Sequence, residues 1–208
     1  MSWKERLFIF AAAIVAIGTV GAILVLRPST APQAPNVAAQ PPVHQDQPLV
    51  TYLDPFFGSA SGTKIIVLYA NYACPFCRAA ETDLQTLAAR HPDVKVVWKD
   101  LPNEVPGAQQ AAEAAQCAKA QGKFWDYHAL LLDDSDWSQT TLALHATELN
   151  LDADAFNACL QNHDMKPFVD RTVSEGIALG IDATPTIFIG KTRYVGQLSY
   201  DQLEAAIR

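Results

Sequence analysis

Cys74 and Cys77, in the run Cys74-Pro75-Phe76-Cys77, are the residues of this chain whose type and spacing best fit a chemical function. Three residues of separation put two side chains on one face of a helical turn, so the sulfurs can close a disulfide and reopen it by exchange. Exchange needs a thiolate. A helix N-terminus, with its unpaired backbone N–H groups, favours that charge on the first sulfur. A free thiol titrates near about 8.5, and cysteines of such motifs at helix starts fall to roughly 3.5–7.5. Cys74 is therefore the expected nucleophile and Cys77 its resolving partner. The other chemistry open to a Cys-x-x-Cys is half of a zinc site, which needs two more ligands. Cys117, Cys159 and the histidines offer no second pair at knuckle-like spacing, so redox chemistry without a metal is the expectation.

The elements that must position these cysteines can be read on either side of them. Ile65, Ile66, Val67, Leu68 and Tyr69 form a short apolar run rich in β-branched and aromatic residues, which predicts a buried strand. It breaks into Asn71-Tyr72-Ala73, and a helix follows to Arg90 with Leu84, Leu87 and Ala88 on one stripe. Pro75 in its first turn costs no hydrogen bond. A second buried strand over residues 94–98 makes a strand–helix–strand unit, which predicts a parallel pair with a right-handed crossover. Residues 106–179 then read as successive helices: 108–121 stopped by Gly122, 124–132, two more with Ser138 and Asp152 as N-caps, and 166–179 ending at Gly180. Strands return at 185–189 and 193–195 around Gly190-Lys191-Thr192, and Ser199-Tyr200-Asp201-Gln202 has the form of a capping box opening a last helix with Leu203 and Ile207 buried. The expected class is α/β, with an all-helical insert at about residues 104–179.

Residues 7–26 are a run without a charge, long enough for the roughly 30 Å hydrocarbon core of a bilayer. A cleaved signal peptide is the alternative, but its apolar region would span about 7–15 residues with a small-residue cleavage site close behind. Residues 1–27 are thus expected to be an N-terminal transmembrane anchor. The amino terminus, Lys4 and Arg6 against Arg27 place the N-terminus in the cytoplasm and the bulk of the chain outside it. Residues 28–48, with six prolines among small and polar residues, read as an extended linker. Residues 49–208 have single-domain length and carry twelve Lys and Arg against twenty Asp and Glu, an acidic balance that argues against a nucleic-acid partner.

Cys74-Pro75-Phe76-Cys77 after a buried strand, Ala183-Thr184-Pro185-Thr186 before a later one, and the helical stretch between them together resemble the thioredoxin superfamily, and within it the DsbA-like thiol:disulfide oxidoreductases of the bacterial envelope. The resemblance covers about residues 52–208 and includes Asp54-Pro55 and Gln121-Gly122-Lys123-Phe124-Trp125. It implies a thioredoxin fold with a helical insert. It also implies a cis Pro185 against the active-site disulfide, with Thr184 supplying backbone groups to a bound peptide. On the residues alone, Pro185 is also a proline that starts a strand. Two positions depart from the resemblance. Strongly oxidising members carry Pro-His between the cysteines, where this chain has Pro75 and Phe76, and place an acidic residue six positions before the first cysteine, where it has Leu68. Proton transfer near Cys77 would then use another group or water.

The expected activity is disulfide formation in exported, cysteine-containing proteins through Cys74 and Cys77, with no bound cofactor and with a membrane redox partner that resets the pair. A reductase or isomerase using the same site, and a non-catalytic metal-binding or chaperone module, are the rivals. Cys117 and Cys159 make an even cysteine count in an exported domain, consistent with a structural disulfide, against two separately buried thiols. Lys99 and Asp100, after the second strand, read equally as groups beneath the site or as solvated loop charges. His44, His91, His128, His145 and His163 are expected to be packing or surface residues, and Phe124, Trp125 and Tyr127 core.

Overall fold

The computed structural model describes residues 47–102 and 104–208. The expected membrane span at residues 7–26 and most of the linker lie outside the described residues. Among the described residues no helix is long and apolar enough to cross a membrane.

Five strands form one mixed sheet: β1 (Phe56–Gly58), β2 (Lys64–Ala70), β3 (Val94–Asp100), β4 (Thr186–Ile189) and β5 (Thr192–Val195), in the order β1-β3-β2-β4-β5. β2 and β3 are parallel, Lys64 opposite Val94 through Ala70 opposite Asp100, and α1 (Pro75–Arg90) is their crossover. The other pairs are antiparallel. β2 is buried from Ile66 to Ala70 because both faces of the sheet are covered, which is why its sequence runs apolar without alternation. Ile66, Leu68 and Ala70 point into the larger core with Leu84 and Leu87 of α1, whereas Val67 and Tyr69 point the other way, toward Val97, Phe188, Leu179 and Ile181.

The insert contains α2 (Ala108–Ala120), α3 (Phe124–Asp133), α4 (Gln139–Glu148) and α5 (Ala153–Gln161), followed by α6 (Lys166–Ala178) leading back to the sheet and α7 (Tyr200–Ala206) at the end. Ser138, Asp152 and Ser199 cap their helices as the sequence predicts, Ser199 within a reciprocal capping box. The alanines of α2 are buried, and their small size lets this helix pack against α3, α5 and α6. α6 closes on the end of β3 at Gly176, where a Cβ would meet Leu101 Cδ1 at 2.8 Å.

Two features differ from the sequence reading. β1 is an added edge strand, too short at three residues to show a period, and held by antiparallel pairing to β3. Lys99 and Asp100 are not solvated loop charges: they are the last residues of β3 and only 1% and 2% exposed. Burial there is tolerable because both are partnered. Lys99 Nζ donates to Leu49 O at 2.7 Å, Asp54 Oδ2 at 3.0 Å and Glu175 Oε2 at 3.1 Å. Asp100 accepts from Trp98 Nε1 and Gln116 Nε2, each at 2.7 Å.

Candidate active site

The C-terminal end of β2 delivers Cys74 to the N-cap of α1, in extended conformation with φ −99° and ψ 109°. An N-cap side chain ordinarily takes one of the orphan N–H groups of the first turn. Here the sulfur does so: Cys77 N–H donates to Cys74 Sγ at 3.2 Å. Pro75 occupies the first turn, where its missing N–H is not needed, and no acidic residue in that turn opposes a negative sulfur. Cys74 and Cys77 form a disulfide with Cα atoms 5.2 Å apart. Cys74 is 9% exposed and Cys77 0%, so only the first sulfur meets incoming groups. Phe76, between them in sequence, is 48% exposed.

The segment before β4 comes back to the same place. The Thr184–Pro185 peptide bond is cis, Pro185 is buried, and the Thr184 carbonyl oxygen lies 3.4 Å from Cys74 Sγ. Asn71, which sequence reasoning left as part of a strand break, connects the two halves: its Nδ2 donates to Thr184 Oγ1 at 2.9 Å. Asn71 Oδ1 is buried without a hydrogen-bond partner. The signal available in the sequence was a polar residue ending a buried apolar strand three positions before Cys74.

Leu68, where the resemblance has an acid, is fully buried and apolar. The polar groups lie elsewhere. Glu81 on α1, His128 on α3 and Tyr72 are all buried, with His128 Nε2 2.8 Å from Glu81 Oε2 and His128 Nδ1 2.9 Å from the Tyr72 hydroxyl. Trp98, Phe124 and Trp125 pack around the imidazole. Burial pushes the Tyr72 hydroxyl well above the usual phenol range, reinforced by the negative charges of Asp100 and Glu81, so it stays neutral and can donate. Burial also raises Asp100, against its hydrogen bonds from Trp98 and Gln116. The sequence reading did not single out Glu81, for which the available signal was its spacing four positions after Cys77, and it took His128 for a packing or surface residue, because only the insert's tertiary packing brings it to α1.

Cys117 on α2 and Cys159 on α5 form a second disulfide within the insert, with Cα atoms 6.0 Å apart. Among the described residues no free cysteine remains.

A family model described as thioredoxin matches residues 51–208. A thioredoxin-like oxidoreductase from Silicibacter pomeroyi superposes with a TM-score of 0.69 at 26% identity, over 76% of this chain and 91% of that one. The thiol-disulfide exchange protein alpha-DsbA2 from Wolbachia pipientis shares the fold, with a TM-score of 0.68 at 22% identity over 75% and 86%. In sequence, a protein of Salinispora tropica named Na(+)/H(+) antiporter NhaA 3 is 33% identical over 153 residues, which are 72% of this chain but 24% of that protein. The chain thus spans about a quarter of the length of the curated relatives it matches. With the family model covering residues 51–208, the chain belongs to the thioredoxin family, and the Cys74–Cys77 disulfide sits at the N-cap of α1.

Proposed function

We propose that this protein is a membrane-anchored enzyme that forms disulfides in exported proteins, with residues 1–27 as the anchor, 28–48 as the linker and 49–208 as the catalytic domain on the extracytoplasmic side. The observation that carries the reading is the placement of Cys74: its sulfur caps α1, takes the Cys77 N–H, and is the more exposed of the pair beside the cis Pro185. A client thiolate attacks Cys74 Sγ, the bond to Cys77 breaks, and a mixed disulfide forms. A second client thiolate then attacks the client sulfur of that mixed disulfide, and Cys74 leaves as a thiolate. The client is oxidised, the enzyme is reduced, and a membrane redox partner restores the disulfide. A helix N-terminus favours this direction because it stabilises the Cys74 thiolate of the reduced enzyme and makes Cys74 a good leaving group. Thr184 and Pro185 are the proposed binding edge for the client backbone, and Phe76 its apolar contact.

Titration of the intact protein against glutathione tests the direction. Couples of this class run from about −120 mV for a strong oxidant to about −270 mV for a reductant, a gap of roughly 7 kcal/mol. A value near the upper end is expected. A value near the lower end makes the enzyme a reductase, and the exposed Phe76, which brings no charge to the site, is the feature that favours that second reading.

A further inference from the structure

We infer that Glu81 and His128 form a proton relay for Cys77, opening to solvent on the far side of α1. The inference rests on the thiol exchange proposed above. When a client thiolate attacks Cys74 Sγ, Cys77 keeps the electron pair of the broken bond and becomes a thiolate in a site with 0% exposure. Burial disfavours that charge, and bulk water does not touch the sulfur to protonate it.

Cys77, Glu81 and Gln85 are spaced four apart on α1 and share one face: the first two are buried, and Gln85 is exposed. Gln85 Nε2 donates to Glu81 Oε1 at 2.8 Å, and Glu81 Oε2 meets His128 Nε2 at 2.8 Å. The neutral Tyr72 hydroxyl, 2.9 Å from His128 Nδ1, accepts from Nδ1–H when the ring carries the extra proton, so that Nε2–H is the proton shared with the carboxylate. On its other side the pair lines an open groove of about 420 Å³, together with Phe57, Gln85, Trp125 and Leu132. The stripe therefore begins at the buried sulfur and ends at solvent, with a titratable pair between.

The other charged or titratable groups around the pair are Asp100 from β3, Tyr127 from α3, and Lys119 of α2, which acts through Asp100. Asp100 is the competing acid, but its two oxygens are held by Trp98 Nε1 and Gln116 Nε2, which do not titrate, whereas the partner of Glu81 is an imidazole.

The step balances within the sulfurs and one proton. Client thiolate and enzyme disulfide give client–S–S–Cys74 and Cys77 thiolate. The protonated Glu81–His128 pair passes its proton to Cys77 through Glu81, becomes carboxylate and neutral imidazole, and regains a proton from water in the groove. In the return direction the pair takes the proton from the Cys77 thiol as that sulfur attacks the mixed disulfide and the departing thiolate is released.

The test follows the reduced intact protein with oxidised glutathione by stopped flow, separating attack by Cys74 from resolution by Cys77 across pH. Alkylation of Cys74 reports its own titration independently. Glu81→Gln keeps the size and one acceptor oxygen but cannot carry the proton. Resolution is expected to slow at least about tenfold at pH 7, at the low side of what positioned acid–base groups supply, and its pH profile to move. Cys74 alkylation should stay unchanged. His128→Gln should give the same displaced profile, and Asp100→Asn should not. An unmoved profile in both Glu81→Gln and His128→Gln overturns the relay, as does an equal displacement in Asp100→Asn. If Glu81→Gln does not fold, the profile of His128→Gln alone decides. A wild-type protein that never resolves the glutathione adduct instead overturns the exchange reading on which the relay depends.

Discussion

Replacing Lys99 by methionine removes a fully buried positive charge from an ionic cluster at the end of β3. Its side chain is 0% exposed, that of Asp54 1% and that of Glu175 17%, and Arg171 NH2 completes the cluster 3.2 Å from Asp54 Oδ1. The four charges balance, two against two. Breaking a buried ion pair by removing one partner costs about 3–5 kcal/mol, because the remaining charge is left desolvated. Asp54 keeps Arg171 and the Thr51 N–H at 2.7 Å, and Glu175 keeps the Leu49 N–H at 2.6 Å, so the lower part of that range, about 3 kcal/mol, applies. For a domain of this size that is a fall in Tm of about 6–12 °C. Urea and thermal unfolding of the intact protein at neutral pH would measure it. Adding Asp54→Asn restores the charge balance, and the double variant should be more stable than the sum of the two single changes predicts, which a double-mutant cycle reads directly. A loss below about 1 kcal/mol for Lys99→Met, the value of an exposed ion pair, would refute the reasoning.

Two further outcomes follow from the disulfides. Replacing Cys117 and Cys159 together by alanine opens a loop with a sequence separation of 42, worth about 4 kcal/mol in the chain-entropy model, and the Tm should fall by about 8–16 °C with the Cys74–Cys77 potential unmoved; calorimetry and the glutathione titration check the two halves. Phe76→His places an imidazole beside Cys74, and each unit by which it lowers the Cys74 pKa is about 1.4 kcal/mol, or about 30 mV for a two-electron couple. A potential that becomes more oxidising by at least that amount is expected, and one that is unchanged removes Phe76 from the determinants of the thiolate.

What the sequence determined by itself was what neighbouring residues decide among themselves. A buried strand reads from five consecutive apolar residues, the caps from Ser138, Asp152 and Ser199, and the place of Cys74 at a helix start from the Cys-x-x-Cys and its proline, since these depend on one turn of chain. Tertiary structure decided whatever required distant segments to meet. β1 exists because β3 pairs with it. Asn71 matters because Thr184 lies 113 residues away in the chain and 2.9 Å away in space. Lys99 and Asp100 look like loop charges until Asp54, Glu175, Trp98 and Gln116 are seen to surround them. His128 is one histidine among five in the sequence, and only the folding of the insert over α1 sets it 2.8 Å from Glu81. A charge can be read as buried only when its partners are known, because burial without partners costs too much, and those partners come from elements the chain brings together only on folding.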